Sequence, residues 1–349
     1  MNKVSTIVPA ALRLPDGGEE GWALRARRAM PKPLKGAYRA VSALQSSIGA
    51  WLYDARRFSR HSGTFNRDGD AHKIAAITKS YHMIEKGLAL PRPRPGFGRI
   101  VNQDLCAKIQ SAIESDIRDP EIQHAIDALA GYRDFNREHG IQNGPWIEAT
   151  IALAIEHGIE PHGHPIKAPL ERAQGMDNLE FVWSRHSVRH FSADDVPEDV
   201  LRNATRAAQS APCVCNRQSG NVYFVKDAEL RKKMLAQQNG NRGFGDTAPV
   251  VALVTVDLRN FLDASERYQA WIDGGLFAMN LLLGIHAQGY GACCLNWSAL
   301  PRQDRAVRKL GIIAEHETVI MMVAIGAPKE GLVVARSARR PVERVMRIL

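Results

Sequence analysis

Residues 177–191 (DNLEFVWSRHSVRHF) place three anion-binding side chains at alternating positions. Apolar periodicity predicts a helix that ends at Ser184. In the extended segment that follows, Arg185, Ser187 and Arg189 share one side of the chain. Two guanidiniums and a hydroxyl that converge in this way suit a phosphate monoester. An ordinary basic, solvent-facing strand has the same pattern, so this stretch alone leaves both interpretations open.

A second polar group lies in SAPCVCNRQSG, residues 210–220, between a predicted helix and a predicted strand. Small residues, an Asn and a Gln offer hydroxyl, thiol, amide and backbone groups to the edge of a polar ring. We predict no metal site, because Cys213 and Cys215 lack a second cysteine pair at zinc-site spacing. The adjacent Cys293 and Cys294 are interpreted as packed thiols.

The elements that must position these residues fall into two regions. The first is mainly helical, with predicted helices at 34–60, 72–87, 102–118, 120–139 and 145–157. The second adds helices at 177–184, 196–212 and 268–287 and buried strands at 221–226, 249–257 and 318–328. This mixture indicates an α+β or α/β domain. We predict three parts: an irregular basic leader (1–33), a helical region (34–170) and a second domain (176–349).

Positive charge is concentrated at the start of the chain. Residues 1–75 carry +7 of the total +9, which favours an anionic partner. Residues 34–60 pair a basic side with Trp and Leu, as a membrane-surface helix does, although such a helix more often packs on its own protein. Nucleic-acid binding is not predicted, because interleaved aromatic side chains are lacking. The expected location is the cytoplasm, with peripheral contact at the inner membrane left open.

Residues 176–349 resemble the flavin-dependent nitroreductase family. RHSVRHF resembles the family's Arg-x-Ser-x-Arg phosphate motif, and SAPCVCNRQ resembles its small-residue, Asn-x-Gln segment. WIDGGLFAMNLLLGIHAQGYGACCLNW is similar to its dimer helix followed by a Gly-rich turn and a strand. VAIGAP and RRPVERV are similar to its late strand and its basic C-terminal contact. The resemblance implies an α+β fold in which helices flank a mixed sheet.

The resemblance also implies FMN as the cofactor and gives each matching position a role. Arg185 and Ser187, with an arginine near the C-terminus, would hold the 5′-phosphate. Arg189 would face the pyrimidine edge of the flavin and stabilise negative charge there. Asn296 and Trp297, which count with Arg189 as catalytic, would place a backbone N–H near flavin N5. The full implied set of cofactor contacts is Arg185, His186, Ser187, Arg189, Cys213, Asn216, Gln218, Asn241, Arg242, Cys294, Leu295, Asn296, Arg339 and Arg340.

The implied activity is an oxidoreductase that moves hydride from NAD(P)H through FMN to a small organic acceptor. The family resemblance further implies a homodimer with the 268–287 helix at its interface. Two alternatives stay open: a flavin-dependent oxidase or dehydrogenase of a glycan or peptide intermediate, and a catalytically idle flavin fold that partners polysaccharide machinery. SYHMIEKGL and GFG also resemble segments of nitroreductase-like proteins associated with polysaccharide production, which suggests a place beside a glycan-modifying system. The helical half is also expected to cover the substrate site as a lid.

Overall fold

The structure is a computed structural model that describes residues 31–65, 68–88, 93–162, 176–332, 334 and 341–349. It contains two compact units, divided in the sequence between Ala55 and Arg56. Helix α1 (Lys32–His61) supplies the described residues of the first unit and extends into the second. The helix predicted at 34–60 is therefore confirmed. The three-part division predicted from the sequence stays a prediction.

Within the first unit, α1 leaves large apolar side chains in contact with solvent. The exposed fractions reach 72% at Trp51 and 65% at Leu52, and Leu34, Val41 and Leu44 are also exposed. None of the described helices is long and apolar enough to cross a membrane. Contact between residues 34–60 and a membrane surface stays a prediction.

The second unit begins with a bundle of helices that the periodicity predicted. Asp119 caps one of them, since its carboxylate accepts a hydrogen bond of 2.9 Å from the N–H of Glu121. Fully buried side chains such as Ile77, Leu105 and Ile126 fill the space between the helices. The helices are α2 (Asp70–Leu88), α3 (Arg99–Glu114), α4 (Pro120–Glu138) and α5 (Pro145–Glu156).

The remainder of the second unit is built on a four-stranded sheet with the order β1-β2-β4-β3. The strands are β1 (Gly220–Val225), β2 (Val250–Asp257), β3 (Gly291–Asn296) and β4 (Glu317–Gly326), and each neighbouring pair is antiparallel. An isolated parallel bridge joins Ser187 to Ala292. The predicted α+β fold is confirmed. The strands of the sheet pair antiparallel throughout, so the mixed sheet that the resemblance implied is not found among the described strands, and this isolated bridge is the one parallel pairing there.

Five further helices flank the sheet. Two of them pack tightly at Gly284, where an added Cβ would lie 2.7 Å from the Cβ of Ala207. One core fills the space between these two helices and the sheet, and a second core lies on the other face. The helices are α6 (Met176–Ser184), α7 (Glu198–Gln209), α8 (Ala228–Leu235), α9 (Gln269–His286) and α10 (Pro301–Arg308).

The segment that follows α6 lies against β3 at van der Waals distance. The N–H of Val188 donates a 3.0 Å hydrogen bond to the carbonyl of Ala292. A Cβ added at Gly291 would lie 2.7 Å from the Cβ of Val188, closer than real side chains approach. Glycine at position 291 therefore permits this pairing, which fixes residues 187–189 along the edge of the sheet.

We expect Gly291→Ala to destabilise the protein, because either Val188 or β3 must shift to admit the methyl group. An overpacked core position costs about 1–3 kcal/mol, measured here as a lower urea midpoint at an unchanged slope. Gly275→Ala is the matched control, since nothing lies within 4 Å of its added Cβ. If both variants unfold at the wild-type urea concentration, the close approach of Val188 to β3 is wrong.

Candidate functional site

The predicted phosphate motif lies on the extended segment beside β3. Val188 packs on the core of the sheet, whereas Ser187 is partly buried and Arg189 is exposed. Because consecutive side chains of an extended chain point to opposite sides, anchoring Val188 inward turns its two neighbours away from the core. The alternation predicted from the sequence is therefore set by one buried valine.

Cys293 on β3 lies near the segment that carries the motif. Burial raises the pKa of the Cys293 thiol, while the charge of Arg189, a hydrogen bond with Ser187 and the charge of Arg185 act in the opposite direction. The thiol itself is buried in the same core as Val188, so it is not offered to a ligand. The sequence analysis missed Cys293, because its position beside the motif depends on a pairing between distant segments. Cys294, the predicted contact, is the next residue and is exposed.

The guanidiniums of this group have no acidic partner in the part of the chain that the structure describes. Neither Arg185 nor Arg189 forms an ion pair there. Burial, followed by the positive charges of Arg185 and His186, lowers the pKa of His286, which indicates that the region is electropositive. Two guanidiniums and a hydroxyl in this setting fit a phosphate group well.

The carboxyl end of β3 adds amide groups to the site. The buried Gln238 donates from Nε2 to the carbonyl of Asn296 at 2.9 Å. Asn241 donates from Nδ2 to the carbonyls of Leu235 and Gln238, at 2.7 and 3.0 Å. Asn241 thus holds its loop beside Asn296, and its amide N–H groups are already used by the protein. Gln238 was missed by the sequence analysis, since no motif distinguishes it from a surface glutamine.

Three other predicted contacts near β3 differ in what they offer a ligand. Leu295 is buried in the core, so only its backbone is available. Trp297 is partly buried against the same core, and Arg242 is exposed. Arg339 and Arg340 lie outside the described residues, and their predicted phosphate contact stays a prediction.

The predicted Asn-x-Gln loop has an unusual backbone. Cys215, Asn216 and Gln218 have positive φ values of 49°, 53° and 46°. Such conformations are costly for residues other than glycine and persist only where surrounding contacts hold them. The thiol of Cys213 accepts a hydrogen bond from the N–H of Gln218, and the carboxylate of Asp273 accepts one from the N–H of Val214 at 3.1 Å.

Arg217 supplies the strongest of these restraints. Its side chain is almost fully buried and forms a bidentate ion pair with Glu266, at 2.7 and 2.9 Å. The same guanidinium donates to the carbonyls of Val214 and Asn260 and lies 5.7 Å from the ring centre of Phe261. Through Arg217 the loop is therefore bonded to the segment that follows β2 at two points, Asn260 and Glu266.

The helical bundle also reaches this loop. The hydroxyl of Tyr81 donates a 2.5 Å hydrogen bond to Glu121 and lies near the side chain of Asn216. Burial, followed by the bond to Glu121, raises the pKa of Tyr81. The predicted cofactor residue Asn216 thus contacts α2, a relation that the sequence did not suggest.

Within one chain the predicted residues form two groups. The first surrounds Arg185, Ser187 and Arg189 at β3, and the second is the 213–218 loop. Among the described residues, no hydrogen bond or ion pair joins the two groups. The same residues contain no cluster of three or more His, Cys, Asp or Glu side chains that could hold a metal ion.

Comparison with known proteins identifies the class to which this region is similar. The family model described as the Nitroreductase family matches residues 182–240 and 235–327. This span includes the Ser187 bridge, the sheet and both groups of candidate residues. The resemblance read from the sequence is thereby confirmed for this region. The resemblance of the first half to polysaccharide-associated proteins stays a prediction.

Individual relatives are similar over about half of the chain. NADH dehydrogenase of Thermus thermophilus is 27% identical and covers 49% of this chain and 95% of its own length. Human iodotyrosine deiodinase 1 is 24% identical and covers 55% of this chain and 75% of its own length. The solved FMN-dependent nitroreductase from Clostridium difficile has a TM-score of 0.39 at 21% identity and covers 46% of this chain and 92% of its own.

We expect Arg217→Met to cost about 3 kcal/mol of unfolding free energy, because it leaves the carboxylate of Glu266 partly buried without its partner. Adding Glu266→Gln should recover part of this loss. The matched control is Arg202→Met, which breaks an exposed Arg–Glu pair on α7 and should cost below about 1 kcal/mol. Equal urea midpoints for the Arg217 and Arg202 variants would show that the buried pair does not restrain the loop.

Proposed function

We propose that the region of residues 176–349 binds FMN and that the protein is an FMN-dependent oxidoreductase of the nitroreductase type. The observation that carries this proposal is the pairing of the Arg185–Arg189 segment with β3 at Ala292, where neither guanidinium forms an ion pair in the described chain. The family match over residues 182–327 supports the same class.

Each residue near β3 has a physical role in this proposal. Arg185 and Ser187 bind the 5′-phosphate through charge-assisted hydrogen bonds. Arg189 presents a fixed cation to the ring, where it stabilises developing negative charge. The backbone at Asn296 and Trp297, positioned through Gln238, orients the ring for reaction. When bound, FMN supplies hydride acceptance from NAD(P)H and electron delivery to an organic acceptor.

The relatives' names support one kind of electron donor but do not agree on an electron acceptor. A relative named NADH dehydrogenase supports a reduced pyridine nucleotide as donor. A relative named iodotyrosine deiodinase is similar at a comparable level, so the acceptor is not set by the shared region. The contact of Tyr81 with the Asn216 loop supports the idea that the helical half covers the substrate site.

We expect Arg185→Ala to weaken FMN binding about tenfold or more, because it removes a charge-assisted bond to the phosphate. Arg189→Ala should slow flavin reduction by NADH or NADPH about tenfold to a hundredfold and weaken binding less. Binding is measured by flavin fluorescence titration, and reduction by the loss of flavin absorbance after anaerobic mixing.

Arg118→Ala provides the control, since Arg118 is an exposed arginine in the helical bundle and should change neither quantity. A colourless protein that is neither bound nor stabilised by added FMN would contradict the proposal. Bound flavin that dithionite bleaches and NAD(P)H does not would favour the alternatives, an oxidase of another substrate or an idle flavin fold.

A homodimer forms part of the proposal, because no hydrogen bond or ion pair joins the two groups of candidate residues within the described part of one chain. Helix α9 exposes Trp271, Ile272 and Leu276, and α6 exposes Phe181 and Trp183, each by 36% or more. Adjacent exposed apolar side chains of this size mark interaction surfaces in soluble proteins. A second copy that covers α9 would bring its own 213–218 loop towards the Arg185 group and complete the site.

We expect Leu276→Arg to convert a dimer into monomers, because it places a charge within the apolar face of α9. Sedimentation velocity should show the mass falling to one chain, with a parallel loss of FMN affinity. Ile155→Arg is the matched control, since Ile155 is similarly exposed at 46% but lies on α5. An unchanged mass for Leu276→Arg would rule out α9 as the interface.

A further inference from the structure

We propose that the cleft between α2 and α3 binds a small molecule that carries an anionic group on an apolar body. The cleft has a volume of about 620 Å³, within the range typical of ligand pockets. Its walls come from the two helices, and Leu262 closes one end. It contains none of the residues assigned to FMN, so the inference does not depend on the proposed function.

The charges of the cleft select an anion. Three lysines line it, and one of them, Lys108, pairs with Asp104 and donates to the hydroxyl of Ser80 at 3.3 Å. Lys73 and Lys79 form no ion pair in the described chain, although both are partly buried. Partial burial makes an ammonium group costly unless a negative charge accompanies it. Glu266 gives Lys79 only a weak electrostatic interaction, so a carboxylate or a phosphate in the cleft would supply the missing charge.

The remaining walls of the cleft select an apolar body. Ala76 and Met83 on α2 face Val101 and Ala107 on α3, and Leu262 lies beside them. An inorganic anion would leave this apolar surface exposed to water, whereas an acyl or aryl chain would bury it. If the lysines only covered apolar surface with their aliphatic stems, the cleft would show no selectivity for an anion.

One wall of the cleft is connected to the Asn-x-Gln loop. The N–H of Leu262 donates a 2.7 Å hydrogen bond to Glu266, the ion-pair partner of Arg217. Burial raises the pKa of Glu266, whereas Arg217 and, more weakly, Lys79 lower it, with a net decrease. A ligand in the cleft would thus sit two contacts away from the loop.

The test compares octanoate with octanol by isothermal titration calorimetry on the full chain as purified. Octanoate should bind at least about tenfold more tightly than octanol, a difference of 1.4 kcal/mol. Lys73→Gln/Lys79→Gln should abolish the difference. The control Lys232→Gln/Lys233→Gln removes two exposed lysines of α8 and should retain it. The affinity of octyl phosphate is then compared with that of octanoate. Tighter binding of octyl phosphate indicates a phosphate site, and tighter binding of octanoate indicates a carboxylate site.

Ala107→Trp tests the cavity without changing the charge. Ala107 is exposed and lines the cleft, so the indole should fill the space and abolish binding of octanoate while the protein still folds. Equal affinities for octanoate and octanol, or octanoate binding that survives both the lysine and the Ala107→Trp substitutions, would overturn the proposal. Flavin absorbance in the same samples reports separately on the FMN site.

Discussion

The pairing of Val188 with β3 is the contact on which the candidate site depends. One backbone hydrogen bond to Ala292 and one missing side chain at Gly291 bring the segment after α6 against the sheet. Once Val188 is buried, its neighbours must point away from the core. The chemistry of the motif is therefore set by backbone geometry, and the arginines need no acidic partner to be held in place.

The Asn-x-Gln loop is held in the opposite manner. Its backbone adopts left-handed conformations at three residues, and a buried ion pair between Arg217 and Glu266 offsets that cost. A buried charge pair contributes little net stability compared with apolar packing, but losing one partner is expensive. Such a pair thus favours one conformation of the loop over its alternatives. A fixed conformation suits the proposed role of the Asn216 and Gln218 amides as ligand contacts.

The helical bundle contacts the 213–218 loop. Tyr81 on α2 lies near Asn216, and the cleft between α2 and α3 ends at Leu262, whose N–H donates to Glu266, the ion-pair partner of Arg217. The bundle therefore lies against the loop at Tyr81, and one wall of its cleft is bonded to the ion pair that restrains the loop.

Local patterns in the sequence determined the helices, the buried strands and the alternation of Arg185, Ser187 and Arg189. Start and stop signals such as Pro120 and periodicities of 3.6 and 2 act within a few residues, so they can be read from the chain alone. The family resemblance extended this reading to the residues proposed to contact FMN.

The tertiary structure alone decided which of those residues meet. Cys293 lies beside the motif, Gln238 supports Asn296 and Tyr81 contacts Asn216, although the partners are separated by 58 or more residues. Contacts of this kind arise from packing between distant elements, and a thiol or an amide in the sequence carries no mark of them.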